Sequence, residues 1–165
     1  PESTEQILHL DKYKSNEMPA VVELPNIAAA LGEEWTELDR DTLGEFLLRI
    51  YLETGASNEQ AVIAAEGWGG DTFSLLKGPQ DRNVLVYLVS WDSEADAQEF
   101  FDTLLGTIQT RTGAEWEPVF EGETVRVVDL PGQSIYFALN VADTLMIFAP
   151  DSAVMEAAQV AIVGP

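Results

Sequence analysis

The chain has 165 residues, 46% of them hydrophobic, with 8 basic and 29 acidic side chains and a formal net charge of −21. It has no Cys and a single His, which excludes disulfide scaffolds, thiolate metal sites and a Cys nucleophile. A polyanion of this strength repels nucleic acid and anionic membrane surfaces, and no apolar run approaches the roughly 20 residues needed to span a bilayer. Neither nucleic acid nor membrane insertion is therefore expected. The acids are scattered among enough Leu, Val, Phe and Trp to build a core, which argues against disorder.

In chain order, residues 1–40 read as an N-terminal arm with little regular structure. Pro19 and Pro25 disfavour a helix between them, and a short helical piece is expected at Asn26–Leu31, ended by Gly32. Residues 41–165 read as one domain. A helix is expected from about Asp41 to Thr54, with Leu43, Phe46, Leu47, Ile50 and Tyr51 on its buried face. Asp41 is its candidate cap and Gly55 its candidate stop. A second helix opens on a capping box of Ser57 and Gln60 and ends at Gly67. Thr72–Lys77 and Val84–Trp91 then read as strands around a turn, and the apolar run Val84–Val89 marks a central strand. Ser93 caps the clearest helix, whose stripe is Ala97, Phe100, Phe101, Leu104, Leu105 and Ile108 and whose stop is Gly113. Four short strands follow at Val119–Glu121, Thr124–Asp129, Ser134–Asn140 and Thr144–Ala149, with turns at Gly122, Pro131-Gly132 and Val141-Ala142-Asp143. Asp151 or Ser152 caps a last helix running to about Val160. Tight turns imply antiparallel pairing, so the expected fold is α+β, an antiparallel sheet of five to six strands with helices packed on one face.

Catalytic chemistry has few carriers here. His9 stands alone in the arm, with no Gly-x-Ser-x-Gly elbow elsewhere, and packing or hydrogen bonding is its simpler role. One His and no Cys make a zinc site improbable. The acids of Asp92–Asp96 lack the spaced calcium-loop pattern and fit helix capping better. Glu33-Glu34-Trp35 could suggest sugar stacking, but a half-buried indole is the plainer account. Glu66-Gly67-Trp68-Gly69-Gly70-Asp71 lacks the Lys and the spacing of phosphate loops. It reads as a turn anchored by Trp68, with a binding edge of Trp68 and Asp71 as the alternative. No cofactor, no metal site and no self-contained catalytic constellation are expected. A hydrolase working through carboxylates alone would need two acids in one cleft, and sequence cannot select them from 29.

Two groups of residues resemble a known family together. Ser3-Thr4-Glu5-Gln6-Ile7-Leu8-His9 with Lys12-Tyr13 forms one block. Leu43-Gly44-Glu45-Phe46, Gly67-Trp68-Gly69-Gly70-Asp71 and Trp91-Asp92-Ser93-Glu94-Ala95-Asp96-Ala97 form others, in the same order. They resemble a family of uncharacterised exported bacterial and archaeal proteins, over roughly residues 3–100. Leu10 stands where that family usually has Pro. The resemblance implies that this region is a C-terminal domain whose upstream half carries a HExxH-like zinc metallopeptidase helix. On that reading the start at Pro1 reflects processing or truncation, and no zinc ligand falls within this chain. The expected role is a non-catalytic accessory or interaction domain, extracytoplasmic or at the cell surface, with the upstream half as partner. Contacts are expected through His9, Tyr13, Trp68 and Asp71. The alternative role is a stand-alone ligand-binding module using an open sheet face, with Tyr136 and Phe137 on opposite sides.

Overall fold

Strand alternation gives this chain two apolar sheet faces, and the fold covers both. The computed structural model describes residues 1–118 and 124–164. Helices α1 (Glu5–Leu8), α2 (Leu10–Ser15) and α3 (Ile27–Leu31) precede strand β1 (Thr36–Asp41). Then come α4 (Gly44–Leu52), α5 (Asn58–Ala65), β2 (Trp68–Lys77), β3 (Asn83–Trp91) and α6 (Glu94–Thr112). Strands β4 (Glu117–Pro118), β5 (Val125–Leu130), β6 (Gln133–Asn140) and β7 (Asp143–Ala149) lead to α7 (Ser152–Val163). The sheet is seven-stranded in the order β1-β2-β3-β7-β6-β5-β4, and every neighbouring pair is antiparallel.

The α+β class and the antiparallel sheet are as expected, but the helices are not confined to one face. On the front, α4, α5 and α6 bury Leu48, Leu52, Trp68, Phe100, Leu104 and Phe137. Phe137 stacks on Phe101 with centroids 4.5 Å apart and meets Phe100 edge-on at 6.1 Å. On the back, α3 and α7 bury Ile27, Trp35, Leu76, Val86, Ile147 and Met155. Tyr136 joins the back core and Phe137 the front, as alternation requires. The run Val84–Val89 is central, since β3 lies between β2 and β7 and feeds both cores.

Local signals fix several boundaries. Ser57 and Gln60 form the capping box of α5, Ser93 accepts from the Asp96 N–H at the start of α6, and Asp151 caps α7. Gly113 ends α6 in a left-handed conformation. The strand expected at Val119–Glu121 and the turn at Gly122 lie outside the described residues.

Three expectations need correction. Residues 1–40 contain three short helices and the edge strand β1, so they complete the fold instead of lying on it as an irregular arm. Trp68–Asp71 is the start of β2, not a turn; the reversal occurs at Gly67, with φ +82°. Helix α4 begins at Gly44, because Asp41 still pairs with Phe73 in the sheet. Its buried residues are Gly44, Glu45, Leu48 and Leu52, whereas Phe46, Leu47 and Ile50 are about 45% exposed.

Candidate functional site

The rotation of α4 is set by Asp71. Its carboxylate is 4% exposed and accepts four hydrogen bonds. Oδ1 accepts from the Leu43 N–H at 2.9 Å. Oδ2 accepts from the Gly44 N–H, the Trp68 indole N–H and the Tyr87 hydroxyl, each at 2.8 Å. A buried carboxylate needs such partners to offset its desolvation. Here they are the free amides of a helix start, where the helix dipole also favours negative charge. Burial, with Asp71 beside it, raises the Tyr87 phenol well above its ordinary pKa. Trp68 and Asp71 therefore bind the helix to the sheet from the interior.

The same rotation leaves part of the front face uncovered. A cleft of about 720 Å³ opens between α4, the C-terminal end of α6 and the sheet. Its floor is Leu75, Leu85, Tyr87, Ile135, Met146 and Phe148, drawn from β2, β3, β6 and β7. Leu47 and Tyr51 of α4 form one wall, and Ile108, Arg111 and Thr112 of α6 the other. Of the apolar stripe read as the buried side of α4, Leu43, Leu47 and Tyr51 line this cleft, while Phe46 and Ile50 stand exposed outside it. Its volume lies within the ~300–1,000 Å³ that small-molecule sites occupy.

Charged groups border the cleft sparsely. Arg111 Nη1 donates to Thr54 Oγ1 at 3.2 Å, and its guanidinium lies 5.2 Å from the Tyr51 ring centroid. Burial raises the Tyr51 phenol, and Arg111 opposes that rise. Arg82, entering β3, donates to Asp151 Oδ2 at 3.0 Å, while its Nε–H is buried without an acceptor. Asp81 is held by Lys77 at 2.6 Å. Sequence reading singled out neither arginine. The signal was available, since a chain with 8 cations among 29 acids gives each cation unusual weight.

The N-terminal residues form a separate polar cluster. Glu5, Gln6 and Glu45 are buried. His9 Nε2 lies 2.8 Å from Glu45 Oε1, and Glu45 Oε2 has no partner. Burial raises the Glu45 carboxyl more than His9 lowers it. Burial alone would lower His9, but its hydrogen bond to Glu45, together with the charges of Glu45, Glu66 and Glu5, outweighs this and raises it. Lys12 bonds Glu5 and Asp92, the latter at 2.5 Å, and lies 3.3 Å from Glu17. Those three carboxylates come close enough together to hold a cation, and the Lys12 ammonium supplies the positive charge. Asp92 thus meets Lys12, while Ser93 and Asp96 cap α6. Tyr13 is half exposed and does not join the cleft. Trp35, 8% exposed, packs in the back core against Gly78.

An all-antiparallel sheet flanked by helices on both faces, with an apolar cleft on the front, is an α+β fold. The model of a family described as a domain of unknown function, DUF8575, matches residues 33–159, and the chain belongs to that family. No curated protein matches the chain. Among solved structures it is similar to the extracellular domain of PknH from Mycobacterium tuberculosis, at 9% identity and a TM-score of 0.50. That likeness covers 88% of this chain and 96% of the other, and it is a likeness of fold. Among the described residues no helix is long and apolar enough to cross a membrane.

Proposed function

We propose that this domain is a non-catalytic, extracytoplasmic ligand-binding module whose site is the front cleft. The observation that carries this reading is the floor. Leu75, Leu85 and Phe148 remain only partly buried beneath walls of Leu47, Tyr51 and Ile108. Apolar area left open in a concave site gains by burial, at about 25 cal/mol per Å². Extracytoplasmic placement is supported by the resemblance to exported proteins and by the extracellular neighbour of the same fold.

Titration with the neutral dye N-phenyl-1-naphthylamine tests the site. Saturable binding is expected, and Leu85→Trp should abolish it by filling the floor while the far-UV circular dichroism is retained. Absence of saturable binding overturns the reading. The sequence blocks shared with metallopeptidase-like exported proteins further support service as an accessory domain. Co-purification with such an upstream half is the expected result, and its failure with both parts folded counts against that service.

A further inference from the structure

We propose that the cleft takes an amphipathic monoanion, with its apolar body on the floor and a carboxylate-like group at Arg111. This rests on the binding reading above and names the ligand class. In a chain of net charge −21, a cation readily finds an acid. Lys12, Arg40, Arg49, Lys77 and Arg82 each have one within salt-bridge distance. Among the described residues Arg111 has none, and its partners, the Thr54 hydroxyl and the Tyr51 ring, are neutral. Those contacts fix the guanidinium at the cleft wall without cancelling its charge.

Arg82 borders the same cleft, but its guanidinium lies 5.9 Å from the ring centroid of Trp35 in the back core and donates to Asp151, so its charge is already met. The cleft's one carboxylate, Asp81, is already paired with Lys77. Arg111 therefore sets uncompensated positive charge beside apolar area in a chain of net charge −21. Guanidinium groups match carboxylates through paired N–H donors, which a neutral alcohol cannot exploit as fully. A cationic head would be repelled.

The test is displacement of N-phenyl-1-naphthylamine by decanoate, decan-1-ol and decyltrimethylammonium, all below their micelle-forming concentrations. Decanoate should compete about fivefold better than the alcohol, as a partly exposed ion pair provides. Arg111→Gln should bring decanoate to the level of the alcohol, each inhibition constant being corrected for that variant's own dye affinity. Arg111→Lys should retain part of the preference, and Arg49→Gln, outside the cleft, all of it. Arg111 is exposed, and retained circular dichroism will show that its variants fold. If dye and alcohol bind but decanoate competes no better, the anion class is overturned and the binding reading stands. If decanoate is preferred but Arg111→Gln leaves that preference intact, the role given to Arg111 is overturned. If the dye itself does not bind, the binding reading falls and the ligand class with it.

Discussion

Replacing Asp71 by Asn changes little in volume but reverses one hydrogen-bonding atom. The amide nitrogen costs least at the position of Oδ1, where it faces only the Leu43 N–H. That strands one buried donor, for about 1–3 kcal/mol. The three donors on Oδ2 would then meet a neutral oxygen and lose the extra strength of a charge-assisted bond. Relief from burying a charge offsets part of this, leaving a net loss of about 3 kcal/mol. For a domain of this size Tm should fall by roughly 6–12 °C. Tyr87→Phe removes a single donor and should cost about 1.5 kcal/mol, or roughly 3–6 °C. The double variant should lose less than the sum, because both act on one carboxylate. Thermal unfolding followed by near-UV circular dichroism, which senses Trp68, measures all three. A Tm within about 2 °C of the parent for Asp71→Asn would refute the idea that this carboxylate locks α4 to the sheet.

Other consequences are open to direct measurement. His9 has its folded pKa raised, so its ion pair with Glu45 contributes fully below the unfolded pKa near 6.5 and is lost as pH rises through the folded value. His9→Gln should therefore cost about 1 kcal/mol at pH 6 and almost nothing at pH 9, read by urea denaturation. Glu45 acts in the same direction at lower pH, since its raised folded pKa makes ionisation costly as pH climbs above 4.5. A Cβ at Gly70 would stand 2.3 Å from the Ala20 carbonyl oxygen, where the Ala20 N–H donates to Gly69. Gly70→Ala should cost about 2 kcal/mol and speed proteolysis before residue 27, while cleavage elsewhere is unchanged. Phe137→Ala removes the ring shared by Phe100 and Phe101 and should cost about 3–5 kcal/mol in chemical denaturation.

Much of this architecture was legible because its signals are local. The Ser57 box, the Ser93 and Asp151 caps and the stripe of α6 each need only residues within a few positions of one another. The apolar run of β3 likewise announced a strand covered on both sides. What escaped reading depends on partners far away in sequence. Every residue of β1 is exposed, so it carries no alternation, and only its pairing with β2 makes it a strand. The glycines at 67–70 suggested a turn, yet Gly70 allows close approach by the segment around Ala20, whose N–H donates to the Gly69 carbonyl. In α4 the period was read correctly but assigned to the core. Asp71, 27 residues away, fixes the start of the helix, so that Leu43, Leu47 and Tyr51 reach the cleft and Phe46 and Ile50 stay exposed, and no window along the helix reports this. Arg111 was hidden for a related reason: only the packing of α6 beside α4 brings it to Tyr51 and Thr54 at the cleft wall.

The edge strand β1 has a consequence for how copies of this molecule meet. Among the described residues no further strand borders its outer rim, and an open sheet edge is the ordinary route to open-ended stacking. Asp39 and Asp41 stand exposed along it, Asp39 also accepting from the Arg40 N–H, while Arg40 pairs with Glu37 and donates to the Leu24 and Pro25 carbonyls. Two such rims approaching each other bring carboxylate rows together before any amide can bond. The guard is purely ionic and so has a reach, about 8 Å in physiological salt and about 3 Å at 1 M. Its strength is set by the surrounding solution as well as by the fold. Concentrated salt would let the molecules associate edge to edge with their interiors intact.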